Sequence, residues 1–330
     1  MKNVLFIFSN RAGYIPANVF DSLGEFKKKN TDFSIEIFIT KHAQDLTDKI
    51  FSFVTKHPDG IIVVAGGDGS LNEATNALVN LNSTASLCPI PFGTANDFCK
   101  ILYQNFDFSK FLDNFNNLKT RKIDLLSIKG KLRLLGNGPE NVNDKHKNCI
   151  NQAYILNVAS FGFDSEVLKS AYEYMVKYPK IKGNGYYLGV IKNFLKKKLK
   201  TWQVKFSIDG KKLEEEVLLS ALCNGAYYGN GFNPAPNFDL FDGRLNYVIA
   251  PRFSHVQFAR LALKYKSGKV LEIDQVKHGF AKHVRVKSLN DFPIIANYDG
   301  ILFESSEFEI QVIEKALSMT FVGDFAHRLL

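Results

Sequence analysis

The spacing of apolar residues in the first 125 positions alternates between short continuous runs and stretches with the period of a helix. The predicted strands are residues 4–8, 33–39, 60–65 and 87–90, and the predicted helices begin near 17, 46 and 71. Because the short runs are apolar throughout, they predict a parallel sheet that is covered by helices on both faces. Ligands of such sheets usually bind beyond the carboxyl ends of the strands.

After about residue 121 the pattern changes to period two, which is typical of antiparallel strands. Asp209-Gly210 is a strong signal for a two-residue hairpin turn between two of these strands. One helix is predicted to start at Ser254, with Gln257 completing a capping box, and to stop at Gly268. The other elements predicted here are a helix near 165–178 and strands at 123–128, 154–159, 204–208, 213–222, 244–250, 282–286 and between 293 and 322. The second half is therefore predicted to be an antiparallel, β-rich domain.

Composition narrows the class of protein. The length of 330 residues suggests two domains, and a hydrophobic content of 45% excludes a disordered chain. Lysine and arginine (42) outnumber aspartate and glutamate (33), which gives a net charge of +9. That charge favours an anionic partner such as a nucleotide, a nucleic acid or an anionic lipid surface, although a merely soluble basic protein fits it equally well.

The spacing of the cysteines and the length of the apolar runs indicate the cellular compartment of the protein. Cys88, Cys99, Cys149 and Cys223 lie far apart, so neither a disulfide framework nor a structural zinc site is expected. The first apolar run is too short for the core of a signal peptide, and no run approaches the length of about 18 residues that spans a bilayer. We therefore expect an intracellular protein that would meet a membrane only from its surface.

The segment Gly66-Gly67-Asp68-Gly69-Ser70 lies between a predicted buried strand and a predicted helix. Glycines allow a sharp turn whose N–H groups approach a ligand closely, and the N-terminus of a helix adds partial positive charge. The segment favours phosphate binding, although Ser70 with Glu73 is also a capping box that would stabilise any helix start.

Two familiar phosphate motifs do not fit this glycine segment. The Walker pattern is absent, and Asn72 stands where the dinucleotide fingerprint requires its third glycine. An acidic residue within the loop, Asp68, fits a phosphate contact best when a magnesium ion lies between them, which favours phosphoryl transfer.

A second cluster follows the next strand and reads Pro91-Phe92-Gly93-Thr94-Ala95-Asn96-Asp97-Phe98. Taken alone, Asn96-Asp97 is more typical of a helix cap than of a catalytic pair. Adjacent parallel strands would bring both clusters to one edge of the sheet, and this recurrence favours a single shared nucleotide site.

Together these two motifs resemble the diacylglycerol kinase catalytic-domain family, which includes bacterial soluble lipid kinases, sphingosine kinases and ceramide kinases. The first motif alone is also similar to loops of NAD kinases and phosphofructokinases. Further matches make the lipid-kinase branch more specific: Lys122-Ile123-Asp124, Asn157-x-Ala159-Ser160-x-Gly162-Phe163-Asp164, and Gly229-x-Gly231-Phe232-x-Pro234-x-Pro236 leading to Asp242-Gly243-x-Leu245. The resemblance runs in order from about residue 3 to residue 320.

The resemblance implies an ATP-binding α/β kinase domain over residues 1–125, with a Rossmann-like parallel sheet. It also implies a lipid-binding antiparallel β-sandwich domain over residues 126–315, and an active site in the cleft between the two domains. The C-terminal end of the chain is a candidate to pack back on the first domain.

The resemblance further implies a set of site residues. The ATP-binding residues would be Asn10, Gly13, Thr40, Gly66, Gly67, Asp68, Gly69, Ser70, Leu71, Asn72, Gly93, Thr94 and Asn96. The loop that contains Asn10 and Gly13 departs from the family's Asn-Pro-Ser-Gly pattern, because Arg11 stands where proline is usual. Asp68, Asp97 and Asp124 match the family's acidic network around a catalytic Mg²⁺. A structural magnesium site is implied at Asp239, Asp242 and the backbone carbonyl of Arg244.

One departure from the family concerns the proton acceptor. Where the family typically has Asp-Gly-Glu, this chain reads Asp299-Gly300-Ile301, so an isoleucine replaces the usual glutamate. Three outcomes stay open: Asp299 acts as the base, Glu304 reaches in, or the protein binds nucleotide and lipid without efficient turnover. A general base typically contributes about 10²–10⁴-fold, so its loss weakens phosphoryl transfer without necessarily abolishing it.

Residues 186–202 combine aromatic and aliphatic residues with five lysines. On a helix, Tyr187, Val190, Ile191, Phe194 and Leu195 form one apolar stripe. The stripe either lies in an anionic membrane interface or packs on the sheet while the lysines are solvated. No recognised nucleic-acid module accompanies this charge, so a nucleic-acid partner is not expected.

The leading hypothesis is an ATP- and Mg²⁺-dependent kinase that phosphorylates a lipid hydroxyl, most simply diacylglycerol to give phosphatidic acid. We expect it to be cytoplasmic and peripheral at an anionic membrane surface. The alternatives are a nucleotide- and lipid-binding module with impaired catalysis, a sphingosine- or ceramide-type kinase and, less favoured, an NAD kinase.

Overall fold

The computed structural model describes residues 1–10, 15, 17–42, 44–136, 149–178, 185–290 and 292–322. Arg11 and Gly13 lie outside the described residues. The chain divides into two compact units: the first comprises Met1–Asp124 and Glu314–Leu330, and the second comprises Leu125–Ile313.

The first unit alternates strands and helices. Its elements are β1 (Lys2–Ser9), α1 (Ala17–Lys29), β2 (Phe33–Thr40), α2 (Asp45–Lys56), β3 (Ile61–Gly66), α3 (Asp68–Asn80), β4 (Ser86–Pro91), α4 (Cys99–Leu102) and α5 (Phe108–Asp113). The strands lie in the order β2-β1-β3-β4, and every neighbouring pair is parallel. Val4 and the four residues after it in β1 are fully buried, which explains why this strand is apolar throughout.

The end of the chain adds a strand to the first unit. The strand β15 (Glu307–Val322) lies beside β4, where Met319 is opposite Leu87. The hydroxyl of Thr320 bonds to the hydroxyl of Ser86 at 2.6 Å and to that of Thr120 at 2.7 Å. These contacts tie the C-terminal part of β15 to residues at least 200 positions earlier in the chain.

The described residues of the second unit form an antiparallel sheet with three α-helices, and its strand β5 begins in the first unit, which includes residues 118–124. Its elements are β5 (Leu118–Gly136), β6 (Cys149–Ile155), β7 (Val158–Gly162), α6 (Phe163–Lys177), α7 (Gly185–Phe194), β8 (Trp202–Ile208), β9 (Lys211–Cys223), β10 (Leu245–Pro251), α8 (His255–Lys266), β11 (Lys277–Ala281), β12 (His283–Ser288), β13 (Ile294–Tyr298) and β14 (Ile301–Ser305). The order is β15-β12-β8-β9-β7-β13-β14-β5-β6, with β10 beside β9 and β11 beside β10. One apolar cluster lies among the strands, and a second packs α6, α7 and α8 on β9 and β10.

Two local predictions in this unit are confirmed. Asp209 and Gly210 have φ angles of 46° and 84° and connect Ile208 to its partner Lys211, as expected for a two-residue hairpin turn. Helix α8 begins with the complete capping box of Ser254 and Gln257.

The strand predicted at 154–159 is wrong. β6 ends at Ile155 and β7 begins at Val158. The N–H groups of Leu156 and Asn157 donate to the carboxylate of Asp299 instead of to a neighbouring strand. A side chain about 140 positions away therefore interrupts what its own sequence presents as one strand.

The helix predicted within 186–202 is shorter than the apolar pattern suggested. It ends at Phe194, so the lysines at 196–198 follow the helix. Within the described part of the chain, no helix is both long and apolar enough to cross a bilayer.

Candidate functional site

The carboxyl ends of the parallel strands lie together in the first unit. Ser9 at the end of β1 is opposite Thr40 at the end of β2, and Gly66 at the end of β3 is opposite Pro91 at the end of β4. The N–H of Asn10 donates to the hydroxyl of Thr40 at 3.2 Å. The structure thus brings Asn10, Thr40 and both glycine-containing motifs to one edge of the sheet.

The two glycine-containing loops touch each other. A Cβ atom on Gly93 would lie 2.3 Å from the Cα atom of Gly67, so no other residue fits at position 93 without movement of the backbone. The N–H of Phe92 also donates to the carbonyl of Gly66 at 3.1 Å. The glycines therefore serve the contact between the loops as well as the turn.

Helix α3 starts earlier than its sequence suggested. It begins at Asp68, and Gly67 is its N-cap residue without a side-chain cap. Ser70 therefore lies inside the first turn, and Glu73 accepts a hydrogen bond from Thr47 instead, at 3.1 Å. The predicted capping box is wrong, because the preceding glycines bring the backbone into the helix two residues before Ser70. The N-cap residue Gly67 has no side chain to cap this N-terminus, which suits the binding of an anion there.

Asp68 links the two loops. Its carboxylate accepts the N–H of Asp97 at 3.1 Å and the N–H of Phe98 at 3.0 Å. Asp97 is buried and forms an ion pair with Lys100 at 2.7 Å. A substitution of Asp68 would therefore disturb the loop from 91 to 98 as well as any bound ion.

The third predicted acidic residue, Asp124, is fixed elsewhere in the first unit. It is buried, and its carboxylate accepts the N–H of Lys315 at 2.8 Å. Among the described residues, no group of three acidic, histidine or cysteine side chains is placed to hold a metal ion. A metal cage made of protein alone does not fit, whereas Mg²⁺ commonly binds through one or two carboxylates, water and the phosphates of a substrate. The pair of Asp68 and Asp97 fits that second arrangement.

The other predicted ATP-binding residues divide into two groups. Asn96 shapes its own loop, because its amide accepts the N–H of Gly93 at 2.8 Å and donates to the carbonyl of Gly93 at 2.7 Å. Leu71 and Asn72 are buried within α3. Gly69 and Thr94 are exposed and accessible to a ligand. Gly13 cannot be placed, since it lies outside the described residues.

In the second unit, Asp299 forms part of the turn between β13 and β14, and its carboxylate also binds the segment that separates β6 from β7. Asp299 and Gly300, with φ angles of 44° and 85°, connect β13 to β14. The carboxylate accepts the N–H groups of Leu156 at 2.8 Å, Asn157 at 3.1 Å and Val158 at 2.9 Å. Both carboxylate oxygens thus have backbone partners, which the sequence did not indicate.

The residue that replaces the family's usual glutamate packs on the core. Ile301 is partly buried against the apolar cluster of the strands. Glu304 lies on the opposite face of β14, since successive side chains of a strand alternate, and it forms an ion pair with Arg133. This position and this ion pair disfavour the alternative that Glu304 replaces the missing glutamate.

The residues of the predicted structural magnesium site form hydrogen bonds within their own loop. Asp239 accepts the N–H of Phe241 at 2.9 Å, and Asp242 accepts the N–H of Arg244 at 2.9 Å. The guanidinium of Arg244 also donates to Asp242 at 3.2 Å. Asp242 thus accepts a backbone N–H and a guanidinium, and the magnesium site implied at Asp239, Asp242 and the carbonyl of Arg244 stays a prediction.

Sequence reasoning did not single out the role of Asp164. Burial raises the pKa of this carboxyl to about 6, while hydrogen bonds from Ser160 and Tyr228 and from the N–H of Ser165 act in the opposite direction. The same burial raises the pKa of Tyr228 and Tyr265 well above their usual range. The motif Gly162-Phe163-Asp164 drew attention to this aspartate in the sequence, but nothing in the motif indicated that its carboxyl is buried.

Known proteins resemble both units. Residues 3–128 match the family model described as the diacylglycerol kinase catalytic domain, and residues 157–321 match the model described as the YegS C-terminal NAD kinase beta sandwich-like domain. The chain is 26% identical over 242 residues to the diacylglycerol kinase of Bacillus subtilis, which covers 73% of this chain and 70% of that protein. It is 24% identical over 275 residues to the diacylglycerol kinase of Staphylococcus carnosus, which covers 83% of this chain and 80% of that protein.

A solved structure supports the same fold. The crystal structure of a diacylglycerol kinase from Bacillus anthracis is similar, with a TM-score of 0.65 and 22% identity, and the match covers 98% of this chain and 97% of that one. The glycine loops lie within the first matched region, and the Asp299 turn lies within the second. With both of its units matched in this way, the chain belongs to the diacylglycerol kinase catalytic-domain family of lipid kinases.

Proposed function

We propose that this chain transfers the γ-phosphate of ATP to the hydroxyl of a lipid, most simply diacylglycerol, to give phosphatidic acid. The first unit is the Rossmann-like, ATP-binding part, and the second unit is the β-sandwich part that binds the lipid. Membership of the lipid kinase family supports the class of reaction. The nucleotide, the ion and the acceptor are our assignments.

The observation that carries the proposal is the contact between Gly67 and Gly93. It places two backbone turns and the start of α3 at one edge of the sheet, with Asp68 bonded across to the second turn. A phosphate chain needs backbone N–H donors that it can approach closely, and glycines permit that approach.

The N-terminal turn of α3 is the proposed site for the ATP phosphates. The first N–H groups of a helix lack partners inside the helix, and the helix dipole adds positive potential there. Thr94 is exposed beside this turn, and Thr40 and Asn10 lie at the same edge of the sheet. These residues hold and orient the nucleotide.

Asp68 and Asp97 are the proposed carboxylates for a magnesium ion that arrives with ATP. The ion would neutralise charge on the phosphates during transfer. Asp68 joins the two loops through its hydrogen bond with the N–H of Asp97, and the side chain of Asp97 is held by its ion pair with Lys100. Asp124 accepts the N–H of Lys315 within β15 and is the third carboxylate of the proposed acidic set.

Asp299 is the candidate base for the acceptor hydroxyl. Its three backbone donors fix the position of the carboxylate, and the apolar side chain of Ile301 removes the second acceptor that the family's motif usually provides. Turnover is therefore carried mainly by positioning and by the charge on the metal ion, and we expect it to be slow.

Transfer of label from γ-³²P ATP tests the proposal. Purified protein is incubated with Mg²⁺ and mixed micelles that contain diacylglycerol, sphingosine or ceramide, and NAD is tested in a separate reaction. We expect labelled phosphatidic acid, and a much smaller amount from Asp68→Asn protein that is purified in parallel. Label on NAD alone would instead assign the chain to soluble nucleotide phosphorylation.

A second candidate function is a nucleotide- and lipid-binding module with impaired catalysis. The observation in its favour is the pair of Ile301, which cannot accept a proton, and Asp299, whose oxygens already accept backbone N–H groups. Calorimetric binding of ATP to protein that labels no lipid would select this function.

A further inference from the structure

Helix α7 carries an apolar stripe on the side that faces solvent. The exposed fractions are 63% for Tyr187, 37% for Leu188, 52% for Ile191 and 74% for Leu195, which follows the helix directly. Residues spaced three or four apart lie on one face of a helix, so these side chains form a continuous surface, here named the α7 stripe. Contiguous exposed apolar surface of this kind commonly marks an interaction site.

The opposite side of α7 is already packed against its own unit. A Cβ atom on Gly189 would lie 2.6 Å from the carbonyl oxygen of Val167 in α6, so the two helices are in close contact. The amide of Asn193 donates to the hydroxyl of Ser170 at 3.0 Å. Val190 and Phe194 join the apolar cluster beneath the helix. The helix therefore cannot roll over to bury the α7 stripe without breaking these contacts.

This packing divides the apolar stripe that the sequence presented as one. Val190 and Phe194 turn inward, and Tyr187, Ile191 and Leu195 turn outward. Packing on the protein core therefore accounts for two of the five stripe residues, and the other three are available to a membrane interface.

A run of three exposed lysines follows the α7 stripe, namely Lys196, Lys197 and Lys198, here named the lysine run. Two nearby lysines have acidic partners: Lys192 pairs with Glu173, and Lys200 pairs with Glu166. No member of the lysine run has an acidic partner among the residues that the structure describes. The ammonium of Lys196 donates to the amide oxygen of Asn193 at 2.8 Å, but that partner is neutral, so the charge of the lysine run is available to an anionic partner outside the protein.

We propose that the α7 stripe and the lysine run together dock the protein on the surface of an anionic lipid bilayer. The apolar side chains would enter the boundary between headgroups and acyl chains, and the lysines would lie over anionic headgroups. This inference rests on the proposed function, because a kinase that phosphorylates a lipid must reach its acceptor in the bilayer.

Charge complementarity favours a bilayer over a second copy of the chain. A symmetric pair would place the same surface on both sides of the contact and bring two lysine runs of like charge together. An anionic surface instead attracts the lysines while its interior accepts the apolar side chains.

Co-sedimentation with vesicles of phosphatidylglycerol and phosphatidylcholine tests the docking surface. We expect Ile191→Ser/Leu195→Ser to weaken binding tenfold or more. Replacing all three lysines of the lysine run by glutamine should weaken it by about 100-fold at low salt. The matched control replaces Lys27, Lys28 and Lys29 by glutamine. These three lysines are exposed at the end of α1, and their replacement lowers the net charge by the same amount. Leu263→Ser in α8, where the side chain is 73% exposed, is the control for the apolar change. Both controls should bind as the unmodified protein does.

Three results would overturn the docking proposal. The first is vesicle binding by the Ile191/Leu195 and lysine-run variants that equals binding by their controls. The second is absence of vesicle binding by the unmodified protein. The third is a difference in oligomeric state between the unmodified protein and the Ile191/Leu195 variant in sedimentation velocity, which would make the α7 stripe a contact between copies.

A second readout separates docking from catalysis. Phosphate transfer to dioctanoylglycerol, dispersed without vesicles, should be the same in the α7 stripe variants and in the unmodified protein. If no acceptor is labelled while vesicle binding still depends on the α7 stripe, the proposed kinase activity fails and the docking surface stands.

Discussion

Asp299 and Val158 bond to each other twice. Asp299 Oδ1 accepts the N–H of Val158 at 2.9 Å, and the N–H of Asp299 donates to the carbonyl of Val158 at 3.0 Å. This exchange fixes the β13–β14 turn against the start of β7. Any catalytic use of the carboxylate must therefore coexist with its role as the acceptor for a segment of main chain.

Asp299→Asn should lower the free energy of unfolding by about 1–3 kcal/mol, because its amide group would face the N–H of Leu156 or Asn157 with no lone pair to accept it. The matched control is Asp209→Asn in a second Asp-Gly hairpin turn, where the carboxylate also accepts backbone N–H groups but is exposed, whereas Asp299 is partly buried. We expect the control to cost less than about 0.5 kcal/mol in urea unfolding. Equal costs for the two variants would contradict a special structural role for Asp299.

Gly93→Ala should both destabilise the first unit and abolish ATP binding, since its Cβ atom would lie 2.3 Å from the Cα atom of Gly67. Overpacking of this kind typically costs about 1–3 kcal/mol. Gly24→Ala is the control, because a Cβ atom there meets nothing within 4 Å and alanine favours the helix α1. Thermal unfolding and calorimetric titration with ATP measure the two effects, and unaltered ATP affinity in the Gly93 variant would show that this contact is not needed for the nucleotide.

The buried Asp164 should make stability depend on pH. Its pKa is raised to about 6 in the folded protein, so folding takes up a proton between the unfolded value and 6, and stability falls as the pH rises through that window. Asp164→Asn removes this titration. Relative to the unmodified protein, the variant should therefore gain roughly 1–2 kcal/mol between pH 5 and pH 7.5.

Urea unfolding at the two pH values measures this gain. Asp113→Asn, which removes an exposed carboxylate, should show no comparable change. If the free energies of unfolding of the Asp164→Asn and unmodified proteins differ by the same amount at both pH values, the pKa of the Asp164 carboxyl is not raised in the folded protein.

Ile301→Glu should raise the rate of phosphate transfer to diacylglycerol by about tenfold or more, because it restores an acceptor next to the Asp299 turn. Ile301→Gln, of the same size but without a base, should not. Both variants lose part of the packing of Ile301 on the strand core, so their melting temperatures should fall together. An equal rate for the two variants would exclude a missing base as the cause of slow turnover.

The sequence predicted those features that local chemistry determines. The apolar run at the start of β1, the Asp209-Gly210 turn and the Ser254 cap each depend on neighbours within a few residues. The closeness of the two glycine loops also followed from strand order alone, because ends of adjacent parallel strands meet at one edge.

The features that were missed depend on distant partners. The break between β6 and β7 is caused by Asp299, and the position of Glu304 on the face of β14 opposite to Ile301 is caused by strand alternation and by its ion pair with Arg133. The start of α3 was placed too late because Ser70 and Glu73 match a cap whose local signal the two glycines override. For α7, periodicity identified the apolar residues but could not tell which of them would meet α6.

The most direct measurement is single-turnover transfer from γ-³²P ATP to dioleoylglycerol by the unmodified protein in excess over ATP, with Mg²⁺ present. Because the protein is in excess, even a slow enzyme has time to convert its bound nucleotide. We predict that the label accumulates in phosphatidic acid, and that the Asp68→Asn protein forms far less. Retention of all label in ATP, with binding of ATP demonstrated in the same sample, would contradict the assignment of this chain as a lipid kinase.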